Sequence, residues 1–133
     1  MEQHERLAVA VRAEVAHVRA EQARRRHAQL KERAAPVYRA MAEMRRRYGD
    51  DHDVAEHIET FTALIAQYGG VGDPGVVVGL LTQISGVVAA CDAEVAAARD
   101  ALAEAMGPGQ TVREWVGCSH EEYDRAVRAA FDV

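Results

Sequence analysis

Apolar residues recur in alternating steps of four and three along the chain from Val9 to Tyr48, over more than five heptads. This spacing is typical of a helix that lays one narrow face against a second helix. Alanine dominates the series, so we expect the second helix to approach closely. We call this series the heptad seam of the first helix, and its members are Val9, Ala13, Ala16, Ala20, Ala23, His27, Leu30, Ala34, Val37, Met41, Met44 and Tyr48.

Pro36 lies at an outward position of this register, and the heptad phase is unbroken across it. We therefore predict one long helix with a kink near Pro36. The alternative is two helices, with Pro36 opening the second, because proline fits the first turn of a helix better than its interior.

A second apolar segment, Gly75–Cys91, has seventeen residues without a charge. Bulky residues follow one heptad series, and small residues follow another about 200° around the helix. Three glycines inside a helix need a reason, and close approach by another helix is the natural one. A membrane span is the rival interpretation, but Gln83 lies inside the run and cationic flanks are missing, so we expect no membrane. The small-residue stripe consists of Gly75, Gly79, Thr82, Gly86, Ala89 and Ala93.

Turn-forming residues divide the remaining chain into helices. They are the sequences YGDD at 48–51, GGVGDPG at 69–75 and GPGQ at 107–110. Asp73–Pro74 is a helix start, and Thr111 and Ser119 each open a capping-box pattern with a glutamate three residues later. We predict an all-α fold, an elongated antiparallel helical bundle or coiled coil in a single domain, 1–133. The expected helices span about 3–48, 53–68, 74–106, 112–116 and 120–131.

The net charge of −5 hides an asymmetry along the chain. Residues 1–48 carry twelve arginines and lysines against six acids, whereas residues 49–133 carry four against fifteen. The charged N-terminus lacks the apolar core of a secretory leader. We therefore expect a cytoplasmic protein whose two cysteines, Cys91 and Cys118, are reduced.

Basic residues flank the heptad seam on both sides. In a parallel homodimer of the first helix these cations would face one another, which opposes that pairing. The seam therefore favours a helix with acidic flanks, and Asp92 and Glu94 of the 74–106 helix neutralise only part of the charge. We call these residues the basic stripe: Arg12, Arg19, Arg24, Arg26, Lys31, Arg33, Arg45 and Arg47.

Several motifs carry candidate chemistry. Asp53 and His57 are four residues apart, and carboxylate and imidazole are suitable metal ligands, although acids also fit a helix start. Glu14-x-x-His17 matches half of a di-iron bundle motif, but the second half is missing. His27 is the polar member of the seam, and we interpret it as a packing or register residue.

These patterns favour a non-catalytic helical interaction protein: an adaptor, an assembly factor or a structural subunit. We expect a homo-oligomer that uses Gly75, Gly79, Gly86, Ala93 and His27 at helix–helix interfaces, with the basic stripe facing an acidic protein partner. We expect no cofactor. One alternative is a nucleic-acid-binding or regulatory protein that uses the basic first helix. A second alternative is a metal- or ligand-binding bundle.

Overall fold

The structure is a computed structural model that describes residues 1–70 and 73–132. Helix α1 spans Gln3–Tyr48, and a short 3-10 turn at Val54–His57 leads into α2, Ile58–Gln67. Helix α3 spans Pro74–Met106, α4 spans Val112–Val116, and α5 spans His120–Phe131. These described residues contain no strand, so the predicted all-α fold is confirmed. Val71 and Gly72 of the predicted connector lie outside the described residues.

Local signals in the sequence set the ends of these helices. Asp73 Oδ1 accepts a hydrogen bond from the Gly75 N–H at 2.8 Å at the start of α3. Thr111 and Glu114 form the predicted capping box in full. At Ser119 the hydroxyl accepts from the Glu122 N–H, and no return bond from the Glu122 side chain is formed. The helix predicted at about 53–68 begins with one 3-10 turn, at which Asp53 is the N-cap and accepts a hydrogen bond from the Ala55 N–H.

Helix α1 is continuous through Pro36, which confirms one long helix rather than two. Pro36 is half-buried rather than outward, because the chain after α2 passes against its ring. A Cβ added to Gly70 would lie 3.0 Å from the Pro36 Cβ and 2.5 Å from the Ile65 Cγ2. The absence of a side chain at Gly70 therefore allows this close contact.

The chain divides into two compact units, and helices α1 and α3 contribute residues to each. Unit 1 comprises Met1–Arg24 and Val87–Val133. There α1 and α3 run antiparallel, since His17 contacts Arg99 and Arg24 contacts Asp92. Its core has two clusters, one of Ala13, Ala16 and Ala98, and one of Ala10, Trp115 and Val116.

Unit 2 is the continuous stretch Arg25–Gly86. Its core packs the second half of the α1 seam against α2, with Tyr68 and Val78 at the edge. Ala34 is fully buried, as expected for a seam that admits close neighbours, and Ala40, which lies beside the seam, is fully buried as well. The buried members of this core are Val37, Ala40, Met44, Phe61, Leu64 and Ile65.

Most of the heptad seam is buried, as predicted. The exceptions near its end are Met41 and Tyr48, which are 38% and 39% exposed. Tyr48 instead stacks its ring on the His57 imidazole, with centroids 3.7 Å apart.

Candidate functional site

The basic stripe of α1 meets acids of α3 in unit 1, as the sequence predicted. Arg12 Nε donates to Glu94 Oε1 at 2.8 Å, and Arg24 donates to Asp92. Arg12 holds the pKa of the Glu94 carboxyl below its usual value through this hydrogen bond. Both pairs are solvent-exposed, so water and salt screen them and they contribute little to stability. Their effect is to neutralise two cations of the stripe.

The basic stripe of α1 continues into unit 2, where Arg47 alone among its cations pairs with an acid of the described residues. Arg47 pairs with Glu43 at 2.9 Å, and Arg46 pairs with the same carboxylate at 2.5 Å. These two arginines lower the pKa of Glu43 to about 2 through their hydrogen bonds. Within the described ranges, no acid lies at ion-pair distance from the other stripe cations of this unit: Arg26, Lys31, Arg33 and Arg45.

The small-residue stripe of α3 is exposed along its whole length. A Cβ added at Gly79 or Gly86 would meet no atom within 4 Å, and one at Gly75 would meet Oδ1 of its own cap, Asp73. The predicted interface residues Gly75, Gly79, Gly86 and Ala93 are therefore not brought against another described part of this chain. Large apolar side chains on the same helix are also exposed, with Val76 at 58% and Val87 at 48%.

His27 lies half-buried in the α1 seam of unit 2, where a packing or register role was predicted. Its Nε2 lies 3.2 Å from the Ser85 hydroxyl, and that hydroxyl also donates to the Leu81 carbonyl. The histidine thus joins α1 to α3 through a side chain that the sequence analysis did not single out.

The candidate metal ligands have other partners. Asp53 caps the 3-10 turn, and His57 stacks on Tyr48. Throughout residues 1–70 and 73–132, no three side chains of histidine, cysteine, aspartate or glutamate converge as a metal site would require. His17 accepts from Arg99 Nη2 at 3.3 Å and lies 3.2 Å from Glu21.

An apolar groove in unit 1 was not predicted. Val11 and Val15 lie at outward heptad positions of α1, yet they are only 8% and 6% exposed. They form the floor of a groove of about 550 Å³. The sequence feature that could have indicated this groove is the presence of two valines at outward heptad positions of α1. The groove is lined by Ala8, Val11, Arg12, Val15, Ala16 and Arg19 of α1, Val87, Ala90, Cys91 and Glu94 of α3, and Ala130 of α5.

Comparison of the chain with protein-family models, with curated proteins and with solved structures gives no match.

Proposed function

We propose that this chain is a non-catalytic helical interaction protein that self-associates through the exposed small-residue stripe of α3. It would serve as an adaptor, an assembly factor or a structural subunit in the cytoplasm. The observation that carries the proposal is an apolar helix that its own chain leaves largely uncovered. The most apolar eighteen-residue window of α3 has a mean hydropathy of 1.8, and 11% of that window is buried.

By length and composition α3 also meets the requirements of a membrane-spanning helix. The charged residues of α1 next to α3 favour a protein contact instead. In unit 2, Ser85 of α3 contacts His27 of α1, close to Arg26 and Lys31. Placing α3 in hydrocarbon would bring these cations towards the membrane, at about 2.5–3.5 kcal/mol for each arginine or lysine at the bilayer centre.

A second copy of this chain is a suitable partner for the stripe. The stripe carries no charge, so two copies can face one another without repulsion. Its glycines and alanines allow two helix backbones to approach closely and so restore contacts that exposed glycines lack. The basic flanks of α1 oppose the pairing of two α1 helices, which favours α3 as the contact element. An antiparallel dimer is the simplest arrangement.

Gly86→Leu is expected to convert the oligomer into a monomer, because the added side chain separates the two backbones. The substitution itself favours helix by roughly 0.5–1 kcal/mol, so the monomer fold is expected to persist. Analytical ultracentrifugation over a concentration series measures the mass, and circular dichroism measures the helix content.

Ala42→Leu is the matched control, because it adds similar bulk at an exposed position of α1. This variant is expected to keep the mass of the parent. A parent protein that sediments as a monomer at every concentration would contradict self-association. An oligomer that survives Gly86→Leu unchanged would place the contact elsewhere.

The unpaired cations of unit 2 support a second candidate function, nucleic-acid binding by α1. Each phosphate contact adds about 0.9 to the slope of log affinity against log salt, so four contacts would give a slope of about 3.6. We expect no such binding at physiological salt, because the chain is acidic overall and has few aromatics on which bases stack.

The test measures fluorescence anisotropy of a labelled duplex and a labelled single strand with the parent and with a variant in which Arg26, Lys31, Arg33 and Arg45 are glutamine. Absence of binding by either protein at physiological salt is the expected result. Steeply salt-dependent binding by the parent, reduced in the variant, would instead make nucleic-acid recognition the function of α1.

A further inference from the structure

We infer that the apolar groove of unit 1 is a binding site for a long-chain carboxylate, with Arg19 recognising the carboxylate. The groove has about 550 Å³ of space, which lies within the range of small-molecule sites. The groove lining and the small-residue stripe have no residue in common. At about 100° per residue, the groove residues of α3 are centred roughly a third of a turn away from the stripe, and Ala90 lies nearest to it.

The lining matches an acyl chain. Its walls are alanine and valine side chains from three helices, and among the described residues that line it there is no aromatic ring on which a planar ligand would stack. Polar side chains lie at few positions of the lining. A ligand with many hydrogen-bonding groups would find no partners for most of those groups in the groove, and leaving them unpaired costs free energy. An unsubstituted hydrocarbon chain avoids this cost.

The charges at the groove favour an anion of one negative charge. Arg12 and Glu94 neutralise each other through two hydrogen bonds, at 2.8 and 3.3 Å. Arg19 differs, because no carboxylate in the described part of the chain lies at ion-pair distance from it. Its guanidinium carbon lies 5.6 Å from the centroid of the Phe131 ring, a contact that favours one position of the side chain. The guanidinium therefore has donors available for a carboxylate.

Cys91 provides a direct measurement of occupancy. This half-buried thiol lines the groove, whereas the second thiol of the chain, Cys118, packs beside the Trp115 cluster and is absent from the groove lining. Alkylation of both cysteines by iodoacetamide, followed by peptide mass spectrometry, compares the two in one sample. Dodecanoate below its critical micelle concentration is the probe.

Dodecanoate at about ten times its Kd is expected to slow alkylation of Cys91 by about tenfold, because the unoccupied fraction falls as the ligand binds. Alkylation of Cys118 is expected to stay unchanged. Arg19→Gln removes a charged hydrogen bond and should weaken binding about tenfold, so the slowing at the same concentration falls to about twofold. Arg26 belongs to the basic stripe but does not line this groove. Dodecanoate should therefore slow alkylation of Cys91 in Arg26→Gln as much as it does in the parent.

Two further arms separate specific binding from its alternatives. Dodecanol, which lacks the charge, should slow Cys91 no more than dodecanoate slows it in Arg19→Gln. Val87→Asp places a negative charge at the groove on a side chain that is already 48% exposed, and it should abolish the protection without unfolding the chain.

The inference is overturned if dodecanoate leaves Cys91 alkylation unchanged, or if dodecanol protects as well as dodecanoate in the parent. It is also overturned if Cys91 becomes protected without any carboxylate as the protein concentration rises, since a second copy would then fill the groove. In that last case Gly86→Leu distinguishes the two surfaces. An oligomer and a Cys91 protection that both persist in Gly86→Leu would show that the groove contact between copies is independent of the stripe.

Discussion

Trp115→Ala is expected to lower the free energy of unfolding by about 3–5 kcal/mol, the largest effect of any single substitution considered for this chain. The Trp115 side chain is 4% exposed and packs with Ala10 and Val116. Arg6 covers one face of the ring at 5.5 Å and donates to the Trp115 carbonyl at 3.0 Å. Alanine would leave a cavity in the cluster that links α1 to α4, and would remove the cation–π contact.

Urea unfolding followed by far-ultraviolet circular dichroism measures this loss, since the variant lacks the one tryptophan of the sequence. Val76→Ala is the control, because Val76 is 58% exposed and its truncation should change the unfolding free energy by less than about 0.5 kcal/mol. A loss under about 1 kcal/mol for Trp115→Ala would show that this end of unit 1 is loosely packed.

Ala40→Leu is expected to destabilise the chain by about 1–3 kcal/mol, because a larger side chain at a fully buried position must displace its neighbours. Ala40 is fully buried in the cluster that also contains Met44 and Phe61. Leucine at this position must displace α2 or take a strained rotamer. The effect tests whether the contact between α1 and α2 is close or loose.

The comparison is with Ala42→Leu, two residues along the same helix and exposed to solvent. That control should leave the midpoint of thermal unfolding nearly unchanged, while Ala40→Leu lowers it by several degrees. Equal midpoints for the two variants would contradict the close approach of α1 and α2.

Helix bounds were predictable because the signals that set them are local. The start of α3 follows from Asp73–Pro74, and that of α4 follows from the Thr111 capping box. The α3 acids that pair with Arg12 and Arg24 were also predictable, since charge and register both pointed to Glu94 and Asp92. In the same way, heptad spacing identified most of the buried face of α1.

Heptad spacing describes a helix that packs against one neighbour. It therefore did not predict the residues of α1 that further helices bury. Ala40 is buried although it lies beside the seam rather than in it, because α2 packs on Ala40 as well as on the seam residues Val37 and Met44. Val11 and Val15 are covered for a similar reason, in a groove that includes Ala130 of α5. Such features need the positions of three helices at once, and spacing along one helix does not supply them.

The two units differ in how the chain assembles them. Unit 2 is continuous, Arg25–Gly86, whereas unit 1 joins Met1–Arg24 to Val87–Val133 across the whole of unit 2. Contacts between distant segments form more slowly, because a longer loop must close before they are made. During synthesis, unit 2 has all its residues as soon as Gly86 is added, while the apolar faces of Ala13 and Ala16 still await Ala98. Ala13 and Ala16 therefore precede unit 2 in the sequence but are buried after it, and for that interval they are exposed to aggregation or to chaperones.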